Sequence, residues 1–308
     1  MEITDTARLN VRKYLGDETG AFLSKTDALL KRYAEEWKLS RLDYMPTNTV
    51  NLLFDCDSAY YGRCVLKACI PGPEIATEIN CLRAYNGRGY VKLWNYDLPG
   101  GLLLLERVTP GCQMWEVPDY RERARLMAER VKDLPIPWDG QGEYPTYRSW
   151  MLKLRDNLIH MGGMADALFY LDEAMRAYDG LKRKYTRNCL LHGDLHQENM
   201  LLNPQGGYTV IDPKGVVDDP VMETARFLNN ETPCEGTKIL DIAAVMAPII
   251  GIPEGDILKS MFVDTALGNC WSLEEHFETR EAFEAQMQNT LDYCAFAYGL
   301  VKQAAREL

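Results

Sequence analysis

Two apolar runs frame the segment on which the reading of this chain turns. It is Leu190-Leu191-His192-Gly193-Asp194-Leu195-His196-Gln197-Glu198-Asn199-Met200-Leu201-Leu202, followed by Val210-Ile211-Asp212-Pro213-Lys214-Gly215. Apolar pairs on both sides of a polar loop make a buried frame that presents Asp194 and Asn199 at one point. A second apolar strand then stops in Asp212, 18 residues beyond Asp194, with room for one hairpin whose turn is Pro204-Gln205-Gly206-Gly207. A carboxylate at the end of a buried strand is costly without a partner, and a divalent cation is the natural one. Magnesium takes oxygen ligands and needs few from protein when a nucleotide phosphate supplies the rest.

Composition sets the bounds around that segment. The chain has 308 residues, 46% of them hydrophobic and 26% charged, which suits one large or two modest globular domains. Residues 1–110 carry 14 acids and 14 bases, so the whole net charge of −11 resides in the remainder. A surface of that sign repels phosphate backbones, so nucleic acid is not an expected partner, while a cationic small molecule would be attracted. The nine cysteines form no C-x-x-C pair and mostly sit beside apolar residues, as in Arg63-Cys64-Val65-Leu66. They read as reduced core thiols of a cytoplasmic protein. The longest apolar stretch, Ile242 to Ile252, is too short to span a bilayer and contains Pro248, so no membrane association is expected.

Periodicity places the elements. A helix is expected over residues 20–39, then strands at Thr49–Phe54 and Arg63–Ala68, a short helix over Glu74–Tyr85, and strands at Tyr90–Trp94 and Gly101–Glu106. That order implies a small α+β lobe with an antiparallel sheet. Beyond Arg107 the pattern turns helical, with Tyr120, Ala124, Met127, Val131 and Leu134 on one face and a long amphipathic helix from Met164 to Leu181. A short β-like region follows at 189–212, and about three helices fill 221–308. The expected domains are 1–107, a nucleotide-binding lobe with a leading helix, and 108–308, a mainly helical lobe.

The loop has the spacing of a kinase catalytic loop, H-x-D-L-x-x-x-N, with a metal-binding Asp further along. His192-Gly193-Asp194-Leu195-His196-Gln197-Glu198-Asn199 resembles the H-G-D-x-x-x-x-N loop of the aminoglycoside phosphotransferase-like small-molecule kinases. Ile211-Asp212-Pro213-Lys214-Gly215 and Ala225-Arg226-Phe227-Leu228-Asn229-Asn230 make it more similar to the aminoglycoside/hydroxyurea resistance kinases, a group that includes streptomycin 6-kinases. The likeness runs from about Phe22 to about Glu231. It implies an α+β, bilobal protein-kinase-like fold with a small antiparallel-sheet N-lobe and a larger, mainly helical C-lobe.

The resemblance also implies roles. Asp194 is the catalytic base, and Asn199 and Asp212 hold Mg²⁺ against the triphosphate of ATP. Lys67 pairs the α/β-phosphates and is held by Glu78, with Glu74 the rival partner. The strand end Leu105-Glu106-Arg107-Val108 contacts adenine, so Glu106 and Val108 are cofactor-binding positions. One part departs from the pattern: no glycine-rich loop precedes Lys67, and only Pro46-Thr47-Asn48-Thr49-Val50-Asn51 stands in its place. The residue before Asp194 is Gly193, and no A-P-E segment follows Asp212, which favours a small hydroxylated acceptor over a protein. In this family the helices after the metal Asp line the acceptor pocket. The acids Glu254, Asp256, Asp264, Glu274, Glu275, Glu278, Glu281 and Glu284 therefore suggest a cationic acceptor such as streptomycin, with a metabolite equally open.

Plainer readings stand beside these. His192 and His196 are four apart, as zinc ligands can be, but lack H-E-x-x-H and a third ligand, so structural roles are expected. Lys214 either reaches phosphate or pairs with Asp218 or Asp219. The alternative function is a nucleotide-binding module without turnover, for which the missing glycine loop is the supporting feature.

Overall fold

The computed structural model describes residues 3–46, 50–232 and 234–304. Compactness divides the chain into two units, Met1–Cys112 with Leu201–Lys214, and Gln113–Met200 with Gly215–Leu308. This departs from the expected 1–107 and 108–308, because the hairpin after the loop 192–199 belongs to the first unit.

The first unit opens with α1 (Asp5–Leu15) and α2 (Thr19–Glu36), of which only the second was expected. A five-stranded sheet follows: β1 (Leu39–Met45), β2 (Leu52–Ser58), β3 (Gly62–Ala68), then α3 (Pro73–Tyr85), β4 (Leu93–Asp97) and β5 (Leu102–Glu106). Its order is β1-β2-β3-β5-β4, with every neighbouring pair antiparallel. The extra edge strand β1 went unread because an irregularity between Ser40 and Asp43 breaks the alternation of its core-facing Leu39, Leu42 and Tyr44. The expected turn from Asp55 is likewise shorter, since β2 continues paired through Ser58 opposite Gly62.

Strand alternation decides which side chains go where. Cys64, Leu66 and Ala68 of β3 join Leu52, Phe54, Leu102 and Leu104 in a core with Val11, Leu23, Leu30 and Trp37 of the two leading helices. Lys67, one residue out of that phase, points to the opposite face. In α3 the residues Ile75, Glu78, Ile79, Leu82 and Tyr85 share the buried stripe, so helical spacing carries one acid inward.

The segment returning to this unit is a hairpin of β8 (Met200–Leu202) and β9 (Tyr208–Val210), named here after β6 (Ile136–Pro137) and β7 (Cys189–Leu191) of the other unit. Its turn falls at the expected Pro204–Gly207, where Asn203 Oδ1 accepts from the backbone N–H groups of Gln205 and Gly207, 3.1 Å each. Backbone bonds tie it to the first unit: Val91 N to Val210 O (2.9 Å), Val210 N to Gly89 O (2.9 Å) and Leu202 N to Cys112 O (2.8 Å).

The second unit contains α4 (Tyr120–Asp133), α5 (Tyr147–Met161), α6 (Ala165–Lys182), β10 (Val216–Asp218), α7 (Ala225–Glu231), α8 (Gly236–Ile250), α9 (Glu254–Trp271) and α10 (Arg280–Ala304). Asp119 caps α4 by accepting from Arg121 N at 3.0 Å, as its position before the periodic run requires. Strands β6, β7 and β10 form a small antiparallel sheet in the order β10-β7-β6. Helix α5 was not expected, and four α-helices rather than three follow residue 221. Seven of the nine cysteines are buried free thiols; Cys112 is half-buried and Cys234 exposed. Among the described residues no single helix is long and apolar enough to cross a membrane.

Candidate active site

In the first unit three expected residues meet. Lys67 Nζ donates to both carboxylate oxygens of Glu78 at 2.8 Å, and it also bonds Asp212 Oδ1. Lys67 and Glu78 are only 4% and 6% exposed. Burial works against the ammonium, but the Asp212 and Glu78 carboxylates outweigh it and raise its pKa well above the ordinary lysine range. Glu74 is not the partner: it bonds Lys214 at 3.3 Å at the surface. Lys214 thus pairs with Glu74, while Asp218 takes Lys182 and the Tyr178 hydroxyl, and Asp219 caps a short helix through Val221 N and pairs with Arg187.

Asp212 has φ of 60°. The left-handed region is uncommon for a residue with a Cβ, and Asp is among the few that enter it readily. A strand that stops in such a residue turns sharply. Glu106 ends β5, its backbone N–H given to Lys92 O at 2.9 Å, and Val108 is buried two residues on. Thr47, Asn48 and Thr49 of the segment before β2 lie outside the described residues.

In the second unit the loop 192–199 is held from within. Asn199 Nδ2 donates to Asp194 O at 3.0 Å, and the Asp194 N–H donates to His192 Nδ1 at 3.1 Å. Ring nitrogens of His196 contact Asn199 Nδ2 (3.1 Å) and Asn230 Nδ2 (2.9 Å). Both histidines are thus parts of the loop's hydrogen bonding, and no group of three or more His, Cys, Asp or Glu able to hold a metal occurs among the described residues. Gly193 has φ of 78°, a conformation that disfavours the Arg of the protein-kinase loop at this position.

Three further residues build the site, and the sequence reading gave none of them this place. Glu223 accepts from the backbone N–H groups of His192 (2.6 Å) and Gly193 (3.0 Å), which clamps the loop; burial pushes its carboxyl up to about 7. Arg226 on α7 reaches Asp194 Oδ1 at 3.0 Å and Asp264 Oδ1 at 3.4 Å. Asp264 on α9 is 1% exposed and accepts from Asn229 Nδ2 at 2.7 Å. Burial raises the Asp264 carboxyl, with Arg226 opposing. A detectable signal existed: Glu223 and Asp264 are lone acids inside otherwise apolar runs, and buried polar residues carry more information than exposed ones.

Arg226 and Asp264 open onto a cavity of about 300 Å³ between α7, α9 and α10. Of the eight acids expected to attract a cation, only Asp264 lines it. Asp256 is paired with Lys184 and Lys259, Glu284 with Arg280, and Glu274 accepts from Asn157; Glu254, Glu275, Glu278 and Glu281 are exposed.

A family profile described as aminoglycoside/hydroxyurea antibiotic resistance kinase matches residues 53–248, more than half of the chain. The chain belongs to that family. It is a small-molecule kinase, and the match starts later and extends further than the expected Phe22–Glu231. Streptomycin 6-kinase of Streptomyces glaucescens is 24% identical over 223 residues, covering 71% of this kinase and 72% of the relative. Hydroxyurea phosphotransferase of Kitasatospora aureofaciens is 27% identical over 234 residues, covering 71% and 65%. Among solved structures, a choline kinase from Streptococcus pneumoniae superposes with a TM-score of 0.63 at 14% identity, covering 87% of this chain and 98% of that one. The fold is kinase-like, α+β, with an antiparallel sheet and a mainly helical portion.

Proposed function

We propose that this kinase transfers the γ-phosphoryl group of ATP to a hydroxyl of a small molecule, with Mg²⁺ as cofactor. The observation that carries the reading is the buried Lys67 ammonium, fixed by both oxygens of Glu78 and bonded to Asp212. Burying a charged lysine on a strand is expensive, and such a group has a clear use as a ligand for phosphate oxygens.

Lys67 is assigned to the α/β-phosphates, Glu78 to positioning Lys67, and Glu106 and Val108 to backbone contacts with adenine. Asn199 and Asp212 are the assigned magnesium ligands. The donor types suit a hard cation: Asp212 offers a carboxylate whose side chain is 42% exposed, and Asn199, whose amide nitrogen donates to protein, offers an amide oxygen. When bound, magnesium neutralises charge on the phosphates. Asp194 accepts the hydrogen bond of the acceptor hydroxyl and aims its oxygen at phosphorus. As that oxygen bonds to the γ-phosphorus, the β,γ-bridging P–O bond breaks, ADP departs with its electron pair, and the hydroxyl proton passes to Asp194. Catalysis is then mostly positioning and charge stabilisation.

The test is ADP release and phosphate incorporation by the purified chain with Mg²⁺-ATP and a panel of sugars, amino alcohols, aminoglycosides and hydroxyurea. Acceptor-dependent turnover is expected. Absence of transfer to every acceptor, with ATP bound, would leave the nucleotide-binding module without turnover as the better reading.

A further inference from the structure

The cavity lined by Arg226, the partner of Asp194, has a chemical character that narrows the acceptor. Its charged lining residues, among the described ones, are Arg226 and Asp264, and they pair with each other. The rest of its polar lining is neutral. The Asn230 amide nitrogen contacts His196, that of Asn269 donates to Thr265 O (2.9 Å), and that of Gln286 donates to Ser272 Oγ (2.5 Å). Each of these three amides keeps a carbonyl oxygen and a second N–H, groups that suit the hydroxyls of a polyol, which both donate and accept. On α10, Tyr293 and Phe296 stand one helical turn apart and supply an aromatic wall.

We propose that this cavity takes a compact, uncharged, polyhydroxylated ring, of the monosaccharide or cyclitol class, and not a polycationic aminoglycoside. The inference rests on the phosphotransferase reading, through the contact of Arg226 with Asp194. Three observations support it. A volume of about 300 Å³ lies at the small end of ligand pockets and suits a single ring. Aromatic rings and amides in one cavity match the two surfaces of such a ring, C–H faces and hydroxyl edges. A polycation would need carboxylates not already engaged, and the one in the cavity is bonded by Arg226 and Asn229.

Isothermal titration of the full chain, with Mg²⁺ and a non-hydrolysable ATP analogue, would compare myo-inositol, glucose, glucosamine and streptomycin. At least one neutral ring should bind about tenfold more tightly than glucosamine and streptomycin. Gln286→Glu places an unpaired carboxylate on the wall and should shift the glucose-to-glucosamine ratio about tenfold toward the amine. Phe296→Ala should weaken both by a similar factor.

Tighter binding of streptomycin or glucosamine by the wild type overturns the inference. So does absence of neutral-ring binding at about 10 mM, or an unchanged ratio in folded Gln286→Glu. If a variant fails to fold, the wild-type ranking decides alone. Phosphoryl transfer to cationic acceptors only would sustain the kinase reading while sinking this one. Neutral-ring binding in a chain that transfers phosphate to nothing would do the reverse.

Discussion

In the first unit Lys67 lies between Glu78 and Asp212, and in the second Arg226 lies between Asp194 and Asp264. Each cluster thus holds one cation between two carboxylates, and each pairs a buried acid with a more open one. The Glu78 and Asp264 side chains are 8% and 1% exposed, against 42% for Asp212 and 24% for Asp194. The buried acid fixes the cation, and the open acid is the one a ligand can reach. The clusters differ in which member carries the proposed chemistry. In the first, the cation is the phosphate ligand and Glu78 its support; in the second, the carboxylate Asp194 is the base and Arg226 its support.

That difference orders the expected effects. Asp194→Asn removes the proposed base while keeping its shape, so turnover should fall by about 10²–10⁴-fold with the unfolding transition little moved. Steady-state kinetics beside urea denaturation would measure both, and retained turnover would sink the assignment. Glu78→Gln strips the buried lysine of the carboxylate that bonds it through both oxygens, and stability should fall by about 3 kcal/mol in urea titrations. A loss under about 1 kcal/mol would mean that Asp212 alone suffices to hold the ammonium.

The third effect is a pH slope. Glu223 has its carboxyl pushed by burial from the ordinary value to about 7, so the folded state binds the proton more tightly than the unfolded chain. Its stabilising contribution is full below the unfolded value, near 4.5, and is lost as pH rises through about 7. Over that window the wild type should lose up to about 2–3 kcal/mol relative to Glu223→Gln, which should show the flatter profile in thermal unfolding against pH. Parallel profiles would show that the clamp on His192 and Gly193 stays ionised throughout. Asp264→Asn, the smallest, should cost about 1 kcal/mol, because losing the charge pairing with Arg226 is offset by relief of a buried acid. A loss as large as that of Glu78→Gln would make the two clusters energetic equals.

Legibility differed between the clusters for a physical reason. Lys67 and Glu78 were readable through the family pattern, since alone a strand lysine or a helix acid is more often solvated, and Asp212 through the apolar run that leads to it. Spacing along the chain could not choose between Glu74 and Glu78, but the helix's buried stripe does, since it carries Glu78 inward and leaves Glu74 at the surface with Lys214. Arg226 has no such mark, and the apolar run around Asp264 marks that acid as buried without naming its partner. Their pairing depends on α7 meeting α9, a contact between helices 38 residues apart in the chain. Of the acids counted in the C-terminal region only Asp264 lines the cavity, for the same reason: charge counted along the sequence says nothing of which face of a helix it occupies.

Local patterning by itself determined the small antiparallel sheet, the polar loop 192–199 and the hairpin turn. These follow from strand and helix periods and from what Gly193, Asp212 and Pro204–Gly207 permit the backbone to do. Packing alone decided that the hairpin joins the first unit, that Arg226 ties Asp194 to Asp264, and that the cavity beside them holds a single acid. Contacts between distant segments depend on how helices and strands stack, and a period read along one element carries no information about its neighbour.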